Sequence, residues 1–114
     1  MKIESYSFGR IIIDGNTYTS DLIILPDKII SDWWREKGHE LQTKDLTAIF
    51  DSLPSILVIG TGKMGIMNIR DNVKKKLQRN NIDYIVERTE VAVKKYNQLL
   101  ADGKKPSAVF HLTC

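Results

Sequence analysis

The feature that most constrains the fold is an alternation of helical and strand-like segments through the second half of the chain. Uninterrupted apolar residues at 56–59 indicate a strand buried on both faces. Helical periodicity follows to residue 80, and the run I-D-Y-I-V after it is strand-like. A helical apolar face then extends from Ala92 to Leu100, and S-A-V-F-H-L reads as the last strand. Parallel strands joined by helical crossovers account for this order. The sequence therefore predicts an α/β fold of three layers, with a mixed central sheet between helices.

The first third of the chain is predicted to add β structure to that sheet. Strand-like runs I-E-S-Y-S-F, R-I-I-I and T-Y-T-S-D-L-I-I-L are separated at Gly9 and at Asp14-Gly15. An Asp-Gly pair between two β-branched runs is a hairpin signal, because glycine accepts the positive φ of a tight turn. We therefore predict an N-terminal β-hairpin part that is antiparallel and lies beside the parallel strands.

Capping residues predict where three helices begin. A short helix from Leu46 to Leu53 follows Thr43, a second helix follows Asn68, and a third begins with Thr89 as its cap. The side-chain oxygen of each cap can accept a hydrogen bond from the first helical turn. With 114 residues, of which 42% are hydrophobic, the chain is long enough for one core. We predict a single compact domain over residues 1–114.

The stretch G-T-G-K-M-G at 60–65 follows the apolar strand and fits the spacing G-x-G-x-x-G. In dinucleotide-binding proteins a helix begins at the second glycine, so that its free N–H groups meet the pyrophosphate. Here the helix is predicted only after Asn68, and the chain is too short for a full dinucleotide domain. Glu87 fits the expected acidic residue, but an exposed ion pair explains it more simply. We therefore predict no cofactor.

The same glycine loop remains a candidate ligand site, because it lies at the carboxyl end of a central strand, where open α/β sheets usually bind ligands. An anion or a small polar molecule would suit its bare backbone and its lysine. The alternative is a purely structural exit from the strand, with Ile66, Met67 and Ile69 packing the loop down. The candidate ligand-binding residues are Gly60, Thr61, Gly62, Lys63 and Gly65.

The segment W-W-R-E-K-G-H-E-L has no clear periodicity and combines two aromatics with a guanidinium and an imidazole. Irregular segments of this composition are often binding surfaces. A structural alternative is that one Trp fills the edge of the core while the Arg and His bond backbone carbonyls. The candidate interaction residues are Trp33, Trp34, Arg35 and His39.

The residues for common catalytic and metal sites are scarce. His39, His111 and Cys114 are the only histidines and cysteine, so Cys and His alone cannot complete a four-ligand zinc site. On a strand-like tail, His111 and Cys114 would point to opposite faces, which disfavours a thiolate–imidazole pair. We predict no metal site, and, in the absence of a catalytic constellation, a protein that is not an enzyme.

Charge and hydrophobicity constrain partners and location. Residues 1–62 carry 6 Lys/Arg against 9 Asp/Glu, and residues 63–114 carry 11 against 5, so the formal charges are −3 and +6. The densest basic part, from Arg70 to Arg79, has no interleaved aromatics that could stack on bases, which favours a solvated helix face over nucleic-acid binding. No apolar run spans a bilayer and no signal or transit peptide is apparent, so we expect a cytoplasmic protein without membrane contact.

Ordered motifs along nearly the whole chain resemble one family. They are W-W-R-x-x-G-H-x-L, I-L-V-I-G-T-G-x-x-G, T-x-x-A-V-x-x-Y-N-x-L and H-L-T-C. The chain resembles the small α/β domain family that includes the adipogenesis-associated protein and a mitochondrial assembly factor of respiratory complex I. The resemblance implies a three-layer fold, no established catalytic activity, and an assembly or regulatory role, so we expect a protein partner and leave self-association open. The family assigns no established role to the positions that match its motifs. These positions are Gly60, Thr61, Gly62, Gly65, Thr89, Tyr96 and Asn97.

Overall fold

A mixed five-stranded sheet forms the centre of the molecule in a computed structural model that describes residues 1–114. The strands are β1 (Ile3–Ser7), β2 (Arg10–Ile13), β3 (Asn16–Tyr18), β4 (Leu22–Leu25), β5 (Lys28–Ile30), β6 (Glu40–Leu41), β7 (Ile56–Thr61), β8 (Asn68–Ile69), β9 (Asp83–Glu87) and β10 (Ser107–His111). The strand order of the central sheet is β5-β4-β10-β7-β9, with β10, β7 and β9 parallel and β4 and β5 antiparallel to their neighbours. The helices are a 3-10 turn (Thr43–Leu46), α1 (Thr47–Ser52), α2 (Asp71–Arg79) and α3 (Thr89–Ala101).

Helices cover both faces of this sheet. Along β7, Leu57 and Ile59 point to the face covered by α1 and α2, while Val58 points to the face covered by α3 and by β1 and β2. Each face has its own cluster of buried apolar side chains, which meets the helical layer through residues such as Leu77 on one side and Tyr96 on the other. The predicted three-layer α/β fold is therefore confirmed. No helix combines the length and apolar character that crossing a bilayer requires.

The N-terminal β part is a separate antiparallel sheet of order β1-β2-β3. Asp14 and Gly15 both have positive φ, 48° and 81°, and join β2 to β3 as the hairpin signal predicted. The third predicted strand is wrong in one respect, because it divides into β3 and β4, which belong to different sheets. The division falls just before Leu22, where the carboxylate of Asp21 accepts a hydrogen bond from the Leu112 N–H.

The three predicted helix caps are wrong. Thr43 lies within the 3-10 turn that follows Gln42, and α1 begins only at Thr47. Tertiary contacts explain the other two. Asn68 does not cap α2; it pairs in β8 with the parallel strand β6, so the helix begins only at Asp71. Thr89 does not cap α3 through its side chain; its hydroxyl accepts a hydrogen bond from the Gly62 N–H at 2.8 Å and donates to the His111 carbonyl at 2.6 Å. For Thr89, partners distant in sequence use the hydroxyl that a local cap would need, whereas for Asn68 the backbone is paired with β6 as a strand.

Candidate functional site

The glycine loop is bound by the last residues of the chain. β7 and β10 lie side by side, and the loop that leaves β7 meets the segment that follows β10. The N–H of Lys63 donates to the Thr113 carbonyl at 2.6 Å. The N–H groups of Met64 and Ile66 donate to the Cys114 carbonyl at 3.3 and 3.1 Å. Backbone donors that were expected to face a ligand therefore bind carbonyls of the same chain.

The other amides of the loop also have partners within the protein. Gly62 donates to Thr89, Gly65 donates to the Gly62 carbonyl, and Met67 donates to the Thr61 carbonyl. The Lys63 ammonium lies 3.4 Å from a Glu90 carboxylate oxygen. Every N–H from residue 62 to residue 67 is thus used internally. Ligand binding by the backbone of 60–65 stays a prediction, and the geometry gives it no free donor.

A buried polar network lies beside this loop. Asp21 Oδ2 is 2.7 Å from Arg35 Nη2 and 2.7 Å from His111 Nδ1, while Asp21 Oδ1 accepts the Leu112 N–H at 2.7 Å. The Arg35 and His111 side chains are only 4% and 6% exposed. Arg35 also donates to the Gly38 carbonyl, at 2.8 Å from Nη2. We call Asp21, Arg35 and His111 the polar network.

The contacts of Asp21 determine where the protons of the network lie. Because Arg35 can only donate, and Asp21 is ionised, His111 Nδ1 must carry the proton that it donates to Asp21 Oδ2. Burial by itself raises the pKa of Asp21, but the hydrogen bonds from His111, Leu112 and Arg35 together outweigh it and lower the pKa below its ordinary value. Two buried nitrogens, Arg35 Nη1 and His111 Nε2, have no hydrogen-bond partner.

The predicted interaction segment divides between this network and the surface. Trp33 is buried, donates from Nε1 to the Asp45 carbonyl at 2.9 Å, and lies under the Arg35 guanidinium, which is 4.7 Å from its ring centroid. His39 packs edge-to-face on His111, with ring centroids 5.7 Å apart. Trp34 instead is 81% exposed. Trp33 and the side chain of Arg35 thus lie in the interior beside the loop, whereas Trp34 and His39 are exposed to solvent.

Four large apolar side chains are exposed on segments fixed around the end of β10. Phe8, Trp34, Met64 and Ile66 are 58%, 81%, 70% and 49% exposed. Gly9, next to Phe8, donates to the Leu112 carbonyl, and Met64 and Ile66 donate to Cys114. Arg35, next to Trp34, contacts His111. We call Phe8, Trp34, Met64 and Ile66 the apolar rim.

The sequence and the fold place the chain in a known group of proteins. Residues 3–111 match a family described as "Protein of unknown function (DUF498/DUF598)". The chain belongs to this family. The match spans almost all of the elements described above, including β10 and the polar network up to His111.

Several solved structures share the fold of this DUF498/DUF598 domain. A conserved hypothetical protein from Pyrococcus horikoshii is 27% identical, with a TM-score of 0.83 and 100% of both chains covered. A protein described as an outer membrane protein from Bartonella henselae is 20% identical, with a TM-score of 0.84, covering 98% of this chain and 94% of that one. A Mth938-like domain from Bordetella pertussis is 15% identical, with a TM-score of 0.66, covering 97% and 85%. The last two likenesses show the fold alone.

Sequence reasoning missed Asp21, which holds the polar network of this DUF498/DUF598 domain together. It reads as one acid inside a strand-like run, T-S-D-L-I-I, and a surface turn would explain it equally well. The available signal was that a charged residue directly precedes four buried positions, Leu22 to Leu25. Buried charges require partners, and the neighbouring aromatic segment supplies a cation in Arg35.

The lowered pKa of Asp21 predicts a specific dependence of stability on pH. Because the pKa is lower in the folded protein than its ordinary value of 3.8, ionised Asp21 stabilises the fold fully above that value. This contribution is lost as the pH falls through the folded pKa. In urea unfolding at a series of pH values, the difference in unfolding free energy between wild type and Asp21→Asn should shrink as the solution becomes acidic. A difference that stays constant down to acid unfolding would contradict this assignment.

Proposed function

We propose that this protein is a non-enzymatic interaction domain that binds a partner protein through the apolar rim. One observation carries the proposal: four large apolar side chains, between 49% and 81% exposed, lie on three separate segments that converge on residues 111–114. Exposed apolar groups on ordered segments that meet at one strand end are typical of protein-binding surfaces, and Trp is enriched among residues that dominate binding energy.

The polar network favours a rigid, preformed binding surface. Arg35 is clamped by Asp21 and by the Gly38 carbonyl, so the neighbouring Trp34 starts from an ordered backbone. The loop with Met64 and Ile66 is fixed by its hydrogen bonds to Cys114. A surface that is ordered before binding loses less conformational entropy when the partner binds.

Charge favours an acidic partner over a second copy of the chain. The protein has a formal net charge of +3 and a sequence pI near 9.0. Two copies repel each other weakly, whereas a partner with a net negative charge is attracted and associates faster. We therefore propose a partner that presents an apolar segment within an acidic surface.

The resemblance to the adipogenesis-associated protein and the complex I assembly factor supports an assembly or regulatory role of this kind. The alternative function, small-ligand binding by the Gly60–Gly65 loop, has less support because the amides of residues 62–67 donate to oxygens of the same chain. A cytoplasmic location remains part of the proposal, on the sequence features given above.

A photo-crosslinking experiment in the native cell tests the proposal. A photoreactive amino acid in place of Ile66 should crosslink to one reproducible protein, which is then purified and titrated with the domain. We expect Trp34→Ala combined with Met64→Ala to weaken that binding at least tenfold, because a buried Trp anchor typically contributes about 2 kcal/mol or more. The unfolding free energy of the double variant should remain close to that of wild type, since both side chains are exposed.

Leu53→Ala is the matched control for this experiment. Leu53 is 54% exposed, but it precedes β7, at the strand end opposite the rim. The control should bind like wild type. Equal loss of binding in Leu53→Ala, or crosslinks to no protein other than the domain itself, would contradict the proposal. A dimer in light scattering that Trp34→Ala dissociates would assign the rim to a second copy instead.

A further inference from the structure

A cavity of about 410 Å³ lies beside the apolar rim, at the carboxyl ends of β7 and β9. Its polar lining includes Asn68 of β8, Lys74 of α2, Glu87 of β9 and Arg88, which precedes α3. Thr61 and Gly65 of the glycine loop and Met64 of the apolar rim also line it. The cavity has the size of small-molecule sites, which span about 300–1,000 Å³.

The two cations of this cavity have no anionic partner in the protein. Three other cations nearby are paired: Lys63 with Glu90, Arg70 with Glu40, and Lys95 with Glu87. Glu87 is the only acidic residue in the wall, and the Lys95 ammonium, at 2.8 Å, already balances it. Lys74 and Arg88 therefore give the cavity an uncompensated positive charge.

Gly65 of the glycine loop allows the Arg88 side chain to lie against the cavity. Gly65 has a φ of 70°, and a Cβ at this position would lie 3.0 Å from Cγ of Arg88. The aliphatic stem of Arg88 thus packs closely against the bare α-carbon of Gly65. The absence of a side chain at the third glycine of the G-x-G-x-x-G pattern therefore leaves room for the Arg88 side chain next to the strand ends.

We propose that this cavity binds a small molecule through a phosphate group, held between Arg88 and Lys74. The planar guanidinium suits two phosphate oxygens at once, the ammonium adds a point charge, and the Asn68 amide can donate a further hydrogen bond. A second cavity, of about 640 Å³, shares Asn68, Ile69 and Lys74 with the first, so the body of the ligand has room beyond Lys74. This site differs from the loop backbone and from the apolar rim in the groups that bind.

The test is a titration of isotope-labelled protein with inorganic pyrophosphate at about 0.15 M ionic strength, where the Debye length is about 8 Å, followed by NMR. We expect saturable shifts at the amides of Asn68, Lys74 and Arg88. Lys74→Gln and Arg88→Gln should each weaken binding by about tenfold, as expected for loss of one charge-assisted contact. Both variants should fold, because Arg88 is exposed, Lys74 is only half-buried, and neither forms an ion pair.

Lys104→Gln removes the same charge from an exposed position that does not line either cavity. It should leave the affinity for pyrophosphate within about twofold of wild type, since screening weakens charges more than a Debye length away. Absent or non-saturable shifts would overturn the proposal. A loss of affinity in Lys104→Gln as large as in Lys74→Gln and Arg88→Gln would also overturn it, because it would indicate attraction by net charge only. Malonate that binds as tightly as pyrophosphate would overturn the choice of phosphate.

Discussion

Asp21→Asn is expected to lower the free energy of unfolding by about 3–5 kcal/mol, because it leaves a buried guanidinium without its counter-charge. Asparagine keeps the shape of aspartate, and its carbonyl oxygen can still accept the Leu112 N–H. Its amide group then faces the donors of Arg35 and His111, so donor meets donor where a carboxylate accepted both. Urea unfolding at neutral pH measures the effect.

Glu87→Gln is the matched control, because it removes the same kind of charge from an exposed ion pair. The Glu87 and Lys95 side chains are 38% and 47% exposed, compared with 16% and 4% for Asp21 and Arg35. Exposed pairs contribute about 0–1 kcal/mol, so this variant should unfold nearly like wild type. If both variants lose the same small amount of unfolding free energy, the polar network does not stabilise the fold more than an exposed ion pair does. A greater loss in Asp21→Asn confirms it.

The order of elements could be predicted from the sequence because it follows from local patterns. Leu57 and Ile59 lie in one apolar core and Val58 lies in the other. A run of apolar residues in the sequence is sufficient to predict this, because it indicates a strand that is covered on both faces. The Asp14-Gly15 turn likewise follows from the backbone freedom of two adjacent residues. Such features depend on neighbours in sequence, so one sequence is sufficient to place them.

The site could be predicted only in part, because its decisive contacts join residues distant in sequence. Asp21 meets His111 across 90 positions, and no local pattern indicates such a pair. The start of α2 is delayed because β8 pairs with β6, a contact between residues 68–69 and 40–41. The segment around Trp33 was recognised as unusual by composition, but composition cannot tell which aromatic turns inward. Tertiary contacts override local preference at each of these places.

The contact between the glycine loop and the end of the chain links these observations, and Gly62 is its centre. Gly62 has a φ of 104°, and a Cβ there would lie 2.2 Å from the Cys114 carbonyl carbon and 2.8 Å from Cδ2 of His111. No rotation of a side chain relieves a clash with backbone. The second glycine of the pattern is therefore required because backbone from Cys114 occupies the space of a side chain.

Gly62→Ala should consequently unfold at lower urea, with a loss of about 2–4 kcal/mol, since the positive φ costs about 1 kcal/mol and the clash displaces the segment at 113–114. Amide hydrogen exchange should accelerate at Lys63, Met64 and Ile66, the donors to that segment. Gly15→Ala is the control, because Gly15 has a comparable φ of 81° but no atom within 4 Å of an added Cβ. Gly15→Ala measures only the cost of placing alanine at a positive φ. Equal losses of unfolding free energy in the two variants would therefore mean that the packing of Cys114 on Gly62 contributes nothing to stability.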